Sequence, residues 1–494
     1  MADHGAPPRT TSPPPGLGAT IILSALLLLG MLVSVWSAAH TPPLARLARP
    51  AESVVRVHER ALFVQAAPEG ALARRLRSTA LTGDLRRGLE ETAAAYRETI
   101  DFLDRRKTRT EADNLDEAVP LRGRLAVVLA ESGRAAEVPP LLERLDGAGE
   151  RGAAVARAVR AGYGLAGARP LDGDTWSLAR RALAGKEGGT EGWTLLRLEQ
   201  HLAERQGDLA AAAAAGARLE GEVRRYGRRA EVAAAVSLGL LVLGTACLLF
   251  GLGARRLFSP VAEGLPVPTP YWDLGTGWAA TVRAGAVGVA VAILAIVFLE
   301  RGLGLERAPL PALLVAIPAL LFLDRRLLRP RGLDATRAFG LGVSAPVAAA
   351  AATLALLALE RLLSLGIASA FRRIGSEPPW TDLVLEDFIF GNGPQVASYL
   401  LDGVIVAPVL EEIFYRGLLY ASLRARLRPL PAALVAALAF SLSHMYSPVS
   451  LMTLFAGAVA SALVYERTRS LVPSIGAHAL NNAAAFLLQA LLFR

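Results

Sequence analysis

A single cysteine, Cys247, stands in the whole chain, and it lies in an apolar run. One thiol excludes an internal disulfide framework and any cysteine-based metal centre within one chain. Charge is also thin, at 20% of 494 residues, and unevenly spread, which does not suit one ordinary soluble core of that length. The formal net charge of +9 is carried almost entirely by arginine distributed along the whole chain. A nucleic-acid binder concentrates its basic residues on one face or arm, so no nucleic-acid partner is expected. Histidine is rare too: of six, only His444 and His478 follow residue 201.

Hydrophobic sequence is what the chain has in quantity, at 53%. Apolar runs of bilayer-crossing length recur, mostly in the second half. Expected spans are Ala233 to Gly253, Gly277 to Leu299, Ala308 to Leu323, Ala338 to Leu359, Val396 to Tyr420, Pro431 to His444, Val449 to Tyr465 and Leu471 to Leu492. An apolar segment over residues 17–39 brings the total to about nine. It reads as an uncleaved anchor rather than a signal peptide, because its apolar core is long and only Arg9 precedes it as a firm positive charge. Residues 1–16 form a Pro-, Ser- and Thr-rich tail expected to be disordered.

Residues 40–229 differ in character. Ala, Leu, Arg and Glu dominate, apolar positions recur at helical spacing, and strand-like alternation is nearly absent. Leu125 to Arg134, with Gly133, followed by an amphipathic stretch to Leu145, reads as helix, tight turn, helix. Leu195 to Gly207 and the alanine run beyond repeat the pattern. It resembles tetratricopeptide helical pairs, with a degenerate signature. Such a domain serves either as a docking platform for a protein partner or as plain structure. The expected fold is thus all-α: a polytopic helical membrane protein carrying an inserted soluble helical domain, with residues 230–370 and 371–494 as the membrane half. Arginines group at Arg325, Arg326, Arg329 and Arg331, at Arg424, Arg426 and Arg428, and at Arg467 and Arg469. They mark one side as cytoplasmic in a cell-membrane protein and leave the helical domain outside. Arg224, Arg225, Arg228 and Arg229 argue the other way, although long domains escape this rule.

Ionisable groups inside the apolar runs carry the chemistry. Glu411 and Glu412 precede Arg416 in a span; an ion in hydrocarbon is costly and persists there for function. Glu412 and Arg416, four apart, pair on one helix face. Glu411 points about 100° away and lacks a partner in its own helix. It needs protonation, a watered cavity or a neighbour on another helix, and can serve as a general base. His444 ends the next span. It and Glu411 stand about equally far from the turn near residues 426–431, so antiparallel packing sets them at similar depth, roughly 20–25 Å along each helix. His478 and Asn482 share a face of the last span. Any one of these residues alone would ordinarily be an interhelical hydrogen bonder; together they indicate a shared site.

Three motifs, Glu411-Glu412-x-x-x-Arg416, Phe440-x-x-x-His444 and His478-x-x-x-Asn482, resemble those of the CPBP family, also called Abi. The family includes CAAX prenyl endopeptidases and bacteriocin-processing and immunity proteins. The likeness covers roughly Val396 to Ala485 and implies an intramembrane endopeptidase acting on a membrane-associated or lipidated protein or peptide. By that resemblance Glu411 and His444 activate water, and His478 and Asn482 stabilise the oxyanion. Glu412 and Arg416 hold the site's shape, and Phe440 packs beside it. Two schemes fit: zinc held by Glu411, His444 and His478, or water activated without metal. The alternative function is a non-catalytic membrane-binding or bacteriocin-immunity protein that uses the same cluster to hold helices or a partner.

Overall fold

Proline opens many of the helices. Pro50, Pro346, Pro429 and Pro448 each sit in a first turn, where a missing N–H breaks no intrahelical bond. The computed structural model describes residues 16–67, 84–106, 111–184, 192–253, 258–267, 269, 271–298, 312–444 and 446–494. The expected tail, and the start of the span expected from Ala308, lie outside the described residues. Those residues are helical without a strand; one isolated bridge joins Ala262 and Val343.

The first half contains α1 (Leu17–His40), α2 (Pro50–Ala66), α3 (Leu85–Asp104), α4 (Glu111–Glu131), α5 (Pro139–Asp146), α6 (Gly149–Tyr163), α7 (Gly173–Ala184) and α8 (Trp193–Gln206). Next come α9 (Leu209–Gly253), α10 (Leu274–Val297), α11 (Ala312–Leu323) and α12 (Pro346–Arg373). A composite helix α13 spans residues 393–423, followed by α14 (Pro429–Leu442), α15 (Pro448–Thr468) and α16 (Val472–Leu492).

Residues 43–235 and 487–494 form one unit. Its helices are amphipathic: Leu89, Ala93, Tyr96, Ile100 and Leu103 recur every three or four residues and bury one face of α3. The turn after α4 uses Gly133 at φ 78°, and the turn between α8 and α9 uses Gly207 at φ 75°. Both need the left-handed region that a residue with a Cβ rarely enters. At the centre of the unit lies buried Glu59, which accepts hydrogen bonds from the Tyr96 hydroxyl at 2.9 Å, Arg124 at 2.5 Å and the Thr194 amide at 2.9 Å. A buried acid so thoroughly paired makes the packing specific to one arrangement of α2, α3, α4 and α8.

The neighbouring His58 provides a pH test. Its Nε2 has no solvent contact, and burial pushes the imidazole down to about 4, against the opposing pull of Glu59. A depressed histidine favours the folded state fully above its unfolded value of 6.5, and that contribution is lost as pH falls to about 4. The loss should reach about 3 kcal/mol. Hydrogen-exchange protection of α2 amides in the intact protein should therefore weaken between pH 7 and 5, and His58→Gln should flatten the dependence.

The described residues within 16–42 and 236–486 form the second unit. In it α1 docks on α10, where Trp278 donates to Ser24 Oγ at 2.9 Å and Arg283 donates to Thr20 Oγ1 at 2.8 Å. Among the described residues, five helices are long and apolar enough to cross a membrane: α9, α10, α12, α15 and α16. Residues 17–33 of α1, and α14, are shorter apolar helices. The chain is a multi-pass membrane protein.

Several expected spans shift. The run Ala233 to Gly253 is the end of a continuous 45-residue helix. The span expected from Ala338 starts instead at Pro346. Asp334 caps a short helix, Ala335–Phe339, and Gly340 at φ 61° ends it. This later span also runs past Glu360 and Arg361 to Arg373, rather than stopping at Leu359. Between α15 and α16 only three residues intervene, and the turn is tied to the end of the Ala335–Phe339 helix. Leu471 N donates to Phe339 O at 3.0 Å and Ser470 Oγ to Gly340 O at 2.6 Å.

Candidate active site

Helix α13 opens with a capping box: Asn392 accepts from Gln395 N at 3.1 Å, and Asn392 N donates to Gln395 Oε1 at 2.8 Å. Its winding then changes repeatedly. Gly393–Leu401 is α, Asp402–Val406 is π, Ala407–Glu411 is α, Glu412–Tyr420 is π, and Ala421–Leu423 closes as α. Wider π turns are rare and are frequently found at functional sites. Glu411 and Glu412 straddle the last α-to-π change.

Glu412 and Arg416 lie face to face with Arg416 NH1 3.1 Å from Glu412 Oε1, and their side chains are only 1% and 4% exposed. Arg416 also sits 4.4 Å from the centroid of the Phe440 ring on α14, a cation–π contact in a dry environment. The pair therefore neutralises itself and is capped by an aromatic face.

His478 on α16 reaches both acids. Its Nδ1 is 3.2 Å from Glu412 Oε1 and its Nε2 is 3.8 Å from Glu411 Oε2. Glu411 thus finds its neighbour on another helix. Among the described residues its Oε2 accepts no hydrogen bond and is shut off from solvent, while the side chain as a whole keeps 28% exposure. One carboxylate is locked in a pair and the other remains available.

His444 follows the C-terminal end of α14. Its Nδ1 lies 2.9 Å from Phe440 O and 3.3 Å from Ser443 Oγ. A ring that donates from Nδ1 to a carbonyl keeps the Nε2 lone pair, the form a base requires; the tautomer is assigned from these bonds. Phe440 stands at the hub: its ring centroid is 4.9 Å from that of His444, 6.2 Å from His478 and 5.1 Å from Tyr415. Tyr446 stacks on His444 at 5.8 Å and lies within electrostatic reach of Glu411. Asn482, one turn beyond His478, donates from Nδ2 to Gly403 O at 2.8 Å, tying α16 to the first π segment.

Glu411, Glu412, Arg416, Phe440, His444 and His478 are therefore linked by contacts around one aromatic ring, with Asn482 on the adjoining turn. Tyr415 and Tyr446 escape a reading by residue type. Neither is an acid or a base at neutral pH, and only their nearness to the motif residues would have singled them out. Among the described residues no three of His, Cys, Asp and Glu converge as a metal site. Nδ1 of His478 is engaged by Glu412 and Nδ1 of His444 by a carbonyl.

Residues 393–484 match the family Type II CAAX prenyl endopeptidase Rce1-like, in agreement with a CPBP-type assignment of this region and supporting an intramembrane endopeptidase. No curated protein and no solved structure matches the chain.

Proposed function

We propose that the protein hydrolyses a peptide bond in a membrane-associated or lipidated protein or peptide, using water activated by Glu411 and His444. The reading is supported above all by His478 facing two acids, near a histidine whose Nε2 is left as an acceptor just past the end of an apolar helix. In the proposed sequence, Glu411 takes the water proton while His444 Nε2 orients the water toward the scissile carbonyl. The hydroxide adds to carbon and a tetrahedral oxyanion forms. His478, as an imidazolium that keeps Nδ1–H on Glu412, donates from Nε2 to that oxygen together with the second N–H of the Asn482 amide, a task for fixed donors in a water-poor cavity. Collapse breaks the C–N bond, and the proton returns from Glu411 to the leaving amine. Glu412, Arg416 and Phe440 hold His478 in place. No step passes through a metal, so turnover is expected to survive exhaustive chelation. The helical unit, in this reading, recruits or orients the substrate.

The test uses the full chain in lipid nanodiscs and three quenched fluorescent peptides. One carries a farnesylated cysteine fourth from its C-terminus, one is its unprenylated counterpart, and one is an apolar spanning peptide with a soluble leader. Wild type should cleave at least one class. Asn482→Ala should lower kcat on it by about 10²–10³-fold, the loss typical of one oxyanion donor, with a smaller change in KM. Folded wild type inert toward all three would instead favour a membrane-binding role without hydrolysis.

A further inference from the structure

Helix α15 begins without a cap of its own. Ser447 is its N-cap residue, but the hydroxyl caps no first-turn amide and donates instead to Ser450 Oγ at 3.3 Å. In a capping box, a glutamate three residues on reaches back to the N-cap amide. Ser450 stands at that position, and its side chain is too short for the task. Asp382 does it from elsewhere in the chain: its Oδ2 accepts from Ser447 N at 3.1 Å and from Ser450 Oγ at 2.8 Å. A carboxylate also suits the positive end of a helix.

The chain around Asp382 is anchored on two sides. Asp382 lies on a short 3-10 turn, Trp380–Leu383, followed by a short helix, Glu386–Phe390. There Asp387 Oδ2 accepts from the Tyr399 hydroxyl of α13 at 2.6 Å. The Phe388 ring packs edge-on against Phe486 of α16, one turn beyond Asn482, with centroids 4.9 Å apart. The acid is thus presented from a base fixed to two of the helices that carry the site. What it holds is the five-residue connection 443–447 between α14 and α15, which bears His444. On the α14 side, His444 N donates to Ser441 O at 3.0 Å and Nδ1 meets Phe440 O at 2.9 Å. On the α15 side, the tied Ser447 amide comes three residues after His444 and directly follows Tyr446, whose ring stacks on His444.

A cap needed only for the stability of α15 would be met locally by a glutamate at position 450. A cap brought in from the anchored base does more, because it ties the connection to α13 and α16. We propose that Asp382 is a positioning residue: through the Ser447 amide it fixes the connection so that His444 Nε2 keeps its aim at the bound water. The kinetic part of this inference rests on the endopeptidase reading.

Three variants of the full chain in nanodiscs separate positioning from capping. On whichever peptide wild type cleaves, Asp382→Ala should lower kcat about tenfold with KM within about twofold. Asp382→Asn, which keeps an oxygen acceptor for both bonds, should stay within about threefold of wild type. Asp382→Ala combined with Ser450→Glu supplies the cap locally, and should regain the unfolding midpoint but not kcat. Wild-type kcat in the combined variant would show capping to be the whole role and overturn the proposal. So would an unchanged kcat in Asp382→Ala, or equal losses in the alanine and asparagine variants. A second measurement needs no turnover: the imidazole signals of protein labelled with ¹³C-histidine, that of His444 being identified by its loss in His444→Gln. The signal should move in Asp382→Ala and in the combined variant and hold still in Asp382→Asn; a signal unmoved in all three refutes positioning. If wild type cleaves nothing, the endopeptidase reading fails by itself and the His444 signal alone decides for Asp382.

Discussion

Glu411→Gln should lower kcat by about 10²–10⁴-fold, the range for loss of a general base, and leave the unfolding midpoint of the protein unchanged. The two halves of that expectation come from one fact. Glu411 is the acid of the pair that holds the fold together least: among the described residues its Oε2 accepts no hydrogen bond, and His478 Nε2 stands 3.8 Å from it. Removing its charge breaks no close pair, and glutamine has nearly the same shape. The measurement is paired, with peptide cleavage and thermal unfolding in nanodiscs on the same preparation. Turnover within tenfold of wild type would remove Glu411 from the chemistry. A collapsed midpoint would reassign it to structure.

Arg416→Ala should do the opposite, costing about 3–5 kcal/mol of stability, because it leaves Glu412 buried without its cation. The pair is almost wholly shut off from solvent, and Arg416 also covers the Phe440 ring. Arg416→Lys should rescue only part of the loss, since a lysine ammonium lacks the planar guanidinium that stacks on an aromatic face. The combined change Glu412→Gln with Arg416→Met should be milder than Arg416→Ala alone, because it leaves no orphaned charge. Unfolding midpoints of wild type and the three variants provide the check, and a midpoint for Arg416→Ala within the equivalent of about 1 kcal/mol of wild type would show the pair to be dispensable.

What could be read without coordinates follows the range of each interaction. Glu412 and Arg416 are four residues apart on one helix, so their pairing is a local matter. Helical spacing in α3 and the turns at Gly133 and Gly207 are local as well. The link between His478 and both acids joins residues more than sixty positions apart, and no periodicity reports it. Phe440 reads as a packing residue from its type, whereas its place at the centre of four side chains appears only once α13, α14 and α16 are assembled. Glu360 carried the same signal as Glu411, an acid inside an apolar helix. The span was expected to stop at Leu359, which set the residue at the water's edge, but the helix continues to Arg373. The buried Glu59 and Arg124 stand 65 residues apart on amphipathic helices, where acids and arginines ordinarily face solvent.

The mixed winding of α13 bears on how the chain tolerates insertion and deletion. Each π stretch is a helix that has absorbed extra length without breaking. Dropping one residue from Asp402–Val406 would let that stretch rewind into ordinary α geometry and turn everything beyond it by about 100° on a helical wheel. The rod would stay intact and apolar, yet its two glutamates would look out at lipid. Here a shortened gene could still yield a well-inserted protein whose reactive edge has rotated out of register.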